Sequence, residues 1–275
     1  MAKPQITNAA KPATFQVEAY NERGEMVPSA VAGEHPLTLY LDKREIVTLM
    51  TLGHAPEALA IGYLRNQRLA DSIDDIAAVQ VDWETESVAV TTRSKKPLPA
   101  LDKKTVTTGC GQGTVFGDLM AEIDEVRLRT DVTLTDADLF VLVEKVRKHE
   151  TIYKQAGAVH GCALATTAGD ILMFVEDVGR HNAVDAIAGF MWLDDIDGSD
   201  KVFYTTGRLT SEMVIKCAQM RIPFLVSRSG LTHMGHAIAK KVGITMLGRA
   251  SGRHYLVFTG RERLVRVTPQ PTALV

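Results

Sequence analysis

The 275-residue chain carries 31 basic and 33 acidic side chains, a formal net charge of −2, and 45% apolar residues. That balance excludes a disordered polyelectrolyte and a general nucleic-acid binder, and the length provides for one large domain or two modest ones. No apolar run approaches the ~20 residues that a membrane-spanning helix needs, and no apolar stretch follows Met1-Ala2-Lys3-Pro4-Gln5, so neither a membrane anchor nor a signal peptide is expected.

Residues 1–12 read as a loose tail. Thr14–Tyr20 and Leu37–Leu41 read as strands. A helix is expected from Ala55-Pro56-Glu57, because proline and an acidic residue suit a first turn. Its apolar stripe is Leu59, Ala60, Tyr63 and Leu64. Strands at Ala77–Asp82 and Ser87–Thr92 flank the turn Trp83-Glu84-Thr85-Glu86. Together these predict a small α+β domain over residues 13–130. It ends in Thr108-Gly109-Cys110-Gly111-Gln112-Gly113, where three glycines in five residues preclude regular structure.

Residues 131–275 predict an α/β domain. Thr135 is placed to cap a long helix whose apolar face is Leu139, Leu142, Val143 and Val146. Strands at Ala158–Ala165 and Ile171–Val175 are followed by a helix from about His181 to before Asp194. Strand Lys201–Thr205, helix Thr210–Arg221, strand Ile222–Ser227, helix Thr232–Val242 and strands Ile244–Leu247 and His254–Phe258 complete the chain. Such alternation implies a mostly parallel sheet with helices on its faces.

Three predicted loops leave strand ends and open helices: Glu176 to Asn182, Thr205 to Glu212, and Ser227 to Thr232. Each combines glycine, arginine and hydroxyl or amide side chains. Helix N-termini and guanidinium forks both suit phosphate oxygens. Gly179, Arg180, His181, Asn182, Gly207, Arg208 and Arg228 are therefore candidate contacts to a phosphate-rich ligand. The plainer alternative is that the hydroxyls are helix caps and the arginines pair locally. Phe258-Thr259-Gly260-Arg261-Glu262-Arg263 suits a stacked nucleobase with phosphates, or equally a solvated turn. Neither G-x-G-x-x-G nor a P-loop is present.

Three cysteines, Cys110, Cys162 and Cys217, are too few for a disulfide framework, which makes a reducing cytoplasm the default address. Cys217 reads as a core thiol. Cys162 shares a strand face with His160, but no second ligand pair follows, so no zinc or other metal is expected. Cys110, in the glycine-rich loop, is the candidate nucleophile or sulfur carrier.

These motifs together resemble the FdhD family, the formate dehydrogenase accessory sulfurtransferases. The resemblance is carried by Pro36–Tyr40, Glu45–Met50, Thr108-Gly109-Cys110-Gly111 and Val159-His160-Gly161. It continues through Glu176-Asp177-Val178-Gly179-Arg180-His181-Asn182-Ala183-Val184-Asp185, Gly207-Arg208 with Ser211-Glu212-Met213, Ile222-Pro223, Ser227-Arg228-Ser229 and Gly243-Ile244-Thr245. It implies a cytidine deaminase-like three-layer domain beside a smaller N-terminal α+β domain. It also implies a sulfur carrier: Cys110 receives sulfur from a cysteine desulfurase as a persulfide. The sulfur then passes to the molybdenum of the bis(molybdopterin guanine dinucleotide) cofactor, bis-MGD, before insertion into the formate dehydrogenase catalytic subunit.

By the same resemblance, Phe258–Arg263 contact the cofactor's nucleotide, GDP is a surrogate ligand, and the protein is a homodimer. One departure stands out. Where many members have C-x-x-C, this chain has Cys110-Gly111-Gln112-Gly113. A resolving thiol is thereby lost, which keeps open a second role as a chaperone that binds and delivers bis-MGD without moving sulfur.

Overall fold

The computed structural model describes residues 3–94, the backbone of 104–106, residue 123, and residues 126–149 and 151–267. The chain divides into two compact units. The first comprises residues 1–120, 150–162 and 174–196; the second comprises 121–149, 163–173 and 197–275. The units are interleaved along the chain, rather than separated by one cut of the kind expected between residues 130 and 131.

The first unit is built on a six-stranded sheet. In chain order its strands are β1 (Gln5–Ile6), β4 (His35–Leu41), β5 (Arg44–Thr51), β6 (Ile76–Asp82), β7 (Ser87–Thr92) and β8 (Lys104–Val106). Their spatial order is β1-β6-β7-β4-β5-β8. In β4 the residues Leu37, Leu39 and Leu41 are buried and alternate with more exposed neighbours, the period-two pattern of a sheet with one covered face. A separate two-stranded hairpin is formed by β2 (Thr14–Tyr20) and β3 (Met26–Ala32).

Among the described residues, the helices of this unit are α1 (Pro56–Asn66), the short α3 (Ile152–Ala156) and α4 (Arg180–Leu193). Pro56 occupies the first turn of α1 with Glu57 beside it, as expected from the sequence. Helices α1 and α4 meet backbone to backbone. A Cβ on Gly62 would lie 1.6 Å from Asp185 O, and one on Gly189 would lie 1.9 Å from Ala58 O. Ala58, Gly62 and Asn66 thus form an i, i+4, i+8 seam against Asp185 and Gly189.

In the second unit α2 (Asp136–Lys148) is capped by Thr135, whose Oγ1 accepts from Asp138 N at 3.0 Å. Its buried residues include Leu139, Leu142, Val143 and Val146, the stripe read from the sequence. The other six-stranded sheet has the order β11 (Ile171–Asp177), β10 (His160–Thr166), β12 (Lys201–Thr205), β13 (Phe224–Ser227), β14 (Thr245–Ser251) and β15 (His254–Thr259), of which residues 160–162 and 174–177 fall in the first unit and the rest in the second. Strands β12, β13 and β14 run parallel, whereas β15 returns antiparallel to β14. Helices α5 (Ser211–Gln219) and α6 (His233–Val242) make the crossovers between the parallel strands. A small ribbon pairs β9 (Leu134–Thr135) with β16 (Leu264–Val265).

Candidate functional site

The Glu176 to Asn182 loop belongs to the first unit, and its acidic residues are turned inward. Asp177 is buried and accepts four hydrogen bonds. Thr51 Oγ1 donates at 2.5 Å and Leu52 N at 3.0 Å to one carboxylate oxygen; Gly179 N at 3.1 Å and Asn182 Nδ2 at 2.8 Å donate to the other. Asn182 Nδ2 also donates to Met50 O at 2.6 Å. The end of β5 is thus tied to the start of α4. Burial raises the Asp177 carboxyl above the ordinary carboxylate value, against the pull of those four donors. Glu176 accepts from Ile152 N at 2.6 Å and Tyr153 N at 3.2 Å, the free donors at the start of α3.

Gly179 is the N-cap residue of α4, and Arg180 and His181 are its first two residues, both buried. Asp185, one turn on, accepts from Asn66 Nδ2 at 2.7 Å. In this structure the run from Glu176 to Asp185 is to a large extent a clamp on its own unit. Thr51, the partner that closes it, is absent from the sequence-based site. Its threonine hydroxyl at a strand end carries no signal of that role.

The other two arginine loops meet in the second unit, at the carboxyl ends of β12 and β13. Ser227 Oγ donates to Gly207 O at 2.6 Å, Leu209 N to Gly230 O at 3.0 Å, Thr232 N to Leu209 O at 3.0 Å, and Arg228 N to Thr205 O at 3.2 Å. Arg208 and Arg228 are exposed. Thr232 caps α6 through Gly235 N at 3.2 Å, whereas Thr210 is the N-cap residue of α5 and makes no capping bond. The plain capping role therefore holds for Thr232 and fails for Thr210.

The Phe258 to Arg263 segment lies elsewhere on the same sheet. In the β14–β15 register Met246 pairs with Thr259, while Ser229 O accepts from Arg249 N three residues further along β14. At about 3.4 Å per residue this sets Gly260–Arg263 about 10 Å or more from the arginine loops, at the amino end of β14. Only the Phe258 ring reaches back, to a position beside Gly248. One cluster holding Arg208, Arg228, Arg261 and Arg263 is not what the fold makes.

Arg263 departs further from the expectation. It is buried, donates through Nη1 to Arg129 O at 3.0 Å and through Nη2 to Gly243 O, and stacks on the Phe224 ring at 5.4 Å. Burial lowers its affinity for the proton. Its guanidinium holds the base of β14. Arg261 and Glu262, by contrast, are exposed.

Phe258, Thr259, Gly260 and Glu262 line an open cleft of about 320 Å³ between β15 and the last turns of α6. The volume is within the range of small-ligand sites. Thr259 Oγ1 donates to Ile244 O at 2.6 Å and accepts from Met246 N at 3.0 Å, fixing the strand end. Gly260 is required: its φ is +67°, and a Cβ there would lie 2.3 Å from Thr245 Oγ1. The opposite wall brings in His236, Ala239, Lys240, Gly243 and Ile244, which the sequence-based site lacked. His236 and Lys240 stand at i, i+4 on α6, a spacing that marks one helix face. His236 Nε2 lies 3.3 Å from Phe258 O.

Cys110 and its glycine-rich loop lie outside the described residues. Cys162 and Cys217 are both fully buried, at 0% exposure. Among the described residues no group of three or more histidine, cysteine or acidic side chains could hold a metal ion. No helix there is long and apolar enough to cross a membrane.

A family model described as the FdhD/NarQ family matches residues 32–265. Among curated proteins the chain is similar to the sulfur carrier protein FdhD of Listeria innocua. The two are 29% identical over 263 residues, which is 94% of this chain and 99% of the relative. It is also similar to the protein of that name from Halalkalibacterium halodurans, 30% identical over 243 residues, 86% of this chain and 88% of the relative. Among solved structures, a protein from Desulfotalea psychrophila assigned as a formate dehydrogenase accessory protein superposes with a TM-score of 0.75. It is 27% identical, and the match covers 92% of this chain and 100% of that one.

Proposed function

The chain belongs to the FdhD/NarQ family, and on that premise we propose that it is a sulfur carrier in formate dehydrogenase maturation. In this reading a cysteine desulfurase presents a persulfide and the Cys110 thiolate attacks its terminal sulfur. The old S–S bond breaks, a new one forms on Cys110, and the desulfurase cysteine leaves as a thiolate, so the transfer is redox-neutral. The bis-MGD cofactor is then the acceptor substrate, on its way to the formate dehydrogenase catalytic subunit. The observation that carries the assignment is the burial of Cys162 and Cys217 at 0% exposure, which makes both unfit to meet a partner protein's persulfide. Cys110 is the remaining thiol of the three.

The cleft beside β15 supports a nucleotide contact within this reading. Its floor at Gly243–Ile244 is the carboxyl end of α6, where the helix dipole disfavours an anion and the last carbonyls accept hydrogen bonds. A guanine edge, with its N–H donors, suits that floor. The phosphates suit the side of Lys240 and Arg261. The deaminase-like description of the second unit is part of the same proposal, supported by a hairpin followed by alternating helices and strands.

The replacement of a second loop cysteine by Gly113 favours one competing reading, delivery of bis-MGD without sulfur transfer. Incubation with a desulfurase and cysteine separates the two. Sulfur carriage predicts an adduct of about 32 Da, one sulfur atom, confined to Cys110 and absent from Cys110→Ala. It also predicts that Cys110→Ala leaves formate dehydrogenase inactive. An active enzyme matured by Cys110→Ala would leave only the chaperone reading.

A further inference from the structure

Helix α6 lines the β15 cleft with two side chains of one face, His236 and, one turn on, Lys240. Lys240 already has a part in the nucleotide reading of that cleft; His236 has none. The histidine is half-buried, and its Nε2 lies 3.3 Å from Phe258 O. A carbonyl oxygen only accepts, so Nε2 carries the hydrogen of that bond. In the neutral ring the other nitrogen, Nδ1, then holds a bare lone pair. Only the imidazolium offers a second N–H.

Charge and position both suit that second N–H to a phosphate. Of the residues that line the cleft, Lys240 on α6 and Glu262 in the turn after β15 carry opposite charges, which offset each other. Strand β15 presents the neutral Phe258 and Thr259, and the floor presents Gly243 and Ile244. Arg261, beside Glu262 in the chain and exposed, adds one positive charge. A pyrophosphate diester carries two negative charges, so one of them is left unanswered. The imidazolium supplies the missing cation. From Gly243 at the floor to His236 is about 10 Å along α6, at about 1.5 Å per residue. A base on the floor therefore sets its ribose and phosphates beside Lys240 and His236. Phosphate oxygens accept and never donate, so a neutral Nδ1 gives them nothing, whereas the imidazolium gives both a charge and a donor.

We propose that His236 is a phosphate-binding residue of the cleft that acts as the imidazolium. The proposal rests on the nucleotide reading of the cleft and adds a proton to it. The protein takes up a proton as a nucleotide pyrophosphate ester binds, and holds that ester more tightly as pH falls. By linkage the two effects are one coupling seen from either side.

Calorimetry of the full chain with GDP-mannose tests it. GDP itself ends in a phosphate that titrates at about pH 6, whereas the bridging pyrophosphate of GDP-mannose has no such group. Histidine changes charge between about pH 5 and 8. From about pH 8.5 to 5.5 the wild-type Kd is expected to fall about tenfold, the scale of one hydrogen bond to a charged group. Binding enthalpies in buffers of different ionisation enthalpy are expected to show the proton taken up. His236→Gln keeps an amide N–H for Phe258 O and stays neutral, so it is expected to hold the weaker, alkaline affinity at every pH. In NMR of the wild type, the His236 ring is expected to move toward imidazolium as ligand is added near neutral pH. A wild-type affinity that is level across the window, or a ring that stays neutral in the complex, would overturn the proposal. So would a slope that survives in His236→Gln, which would belong to His233, the other histidine of α6. Absence of binding at every pH would overturn the nucleotide reading itself, and this proposal with it.

Discussion

Replacing Gly62 by alanine tests the tightest contact in the first unit, and helix propensity gives the opposite sign. Alanine in a helix interior is favoured over glycine by about 1 kcal/mol. Here the new Cβ would lie 1.6 Å from Asp185 O, whereas real Cβ atoms essentially never come within 3.0 Å of such an atom. Helices α1 and α4 would have to part by about 1.4 Å. A gap of 0.5–1 Å already forfeits about a quarter to a half of each van der Waals contact, worth about 0.1–0.2 kcal/mol apiece. Over roughly thirty such contacts the loss is about 2–3 kcal/mol, to which the stretched Asn66–Asp185 bond adds about 1 kcal/mol.

After the propensity gain is subtracted, Gly62→Ala is expected to lower stability by about 2–3 kcal/mol, a fall in Tm of about 5–10 °C for a domain of this size. Differential scanning calorimetry and urea titration read both quantities. Gly189→Ala, whose Cβ would lie 1.9 Å from Ala58 O, is expected to behave alike. The double variant should cost less than the sum, because helices already parted clash less. A Gly62→Ala protein that melts at or above the wild-type temperature would refute the backbone contact.

Asp177→Asn puts an amide NH₂ where two donors converge, whichever way the amide is turned, and is expected to cost about 2–4 kcal/mol in urea titration. The pH dependence has a definite sign. The folded carboxyl of Asp177 binds its proton more tightly than an ordinary carboxylate, so its stabilising contribution is full below the unfolded value of about 3.9 and is lost as pH rises through the folded one. The stability gap between wild type and Asp177→Asn is therefore expected to narrow with rising pH over that window; a gap that widens would contradict the burial effect. Arg261→Ala, at an exposed position, is expected to leave Tm nearly unchanged and to weaken GDP binding about 5- to 100-fold in calorimetry. Arg263→Ala is expected to destabilise by about 2–4 kcal/mol, because it strands the carbonyls of Arg129 and Gly243. Equal Tm values for the two variants would contradict the division between an inward and an outward arginine.

Local signals in the sequence carried well into the structure where one element decides the outcome. The stripe of α2, its Thr135 cap and the proline start of α1 are all properties of a few adjacent residues. The strand Met26–Ala32 escaped, because Pro28 in the run argues against a strand; in the structure it pairs opposite Glu18 in an isolated ribbon, where no further neighbour needs its missing N–H. The short helix α3 escaped because five residues carry no periodicity, and it leans on Glu176 more than on its own sequence. The parallel strands β12–β14 were legible from alternation. The antiparallel return of β15 followed from no pattern, and it moved Gly260–Arg263 to the far end of the sheet from Arg208 and Arg228.

That displacement bears on how a signature should be read. Arginine, glycine and hydroxyl residues recur in all the candidate segments, yet their physical uses diverge once burial is known. Arg263 is 134 residues from the carbonyl of Arg129 that it satisfies, a pairing that no local window contains. The Glu176–Asp185 run supplies three buried carboxylates, Glu176, Asp177 and Asp185, that accept from their own unit in the bonds described for them. A side chain held by four donors in a dry site is costly to replace whether or not it touches a substrate. Such a run therefore identifies the fold before it identifies the chemistry. For the chemistry, the informative contrast is between cysteines: two sealed in the core, and Cys110 flanked in sequence by Gly109 and Gly111.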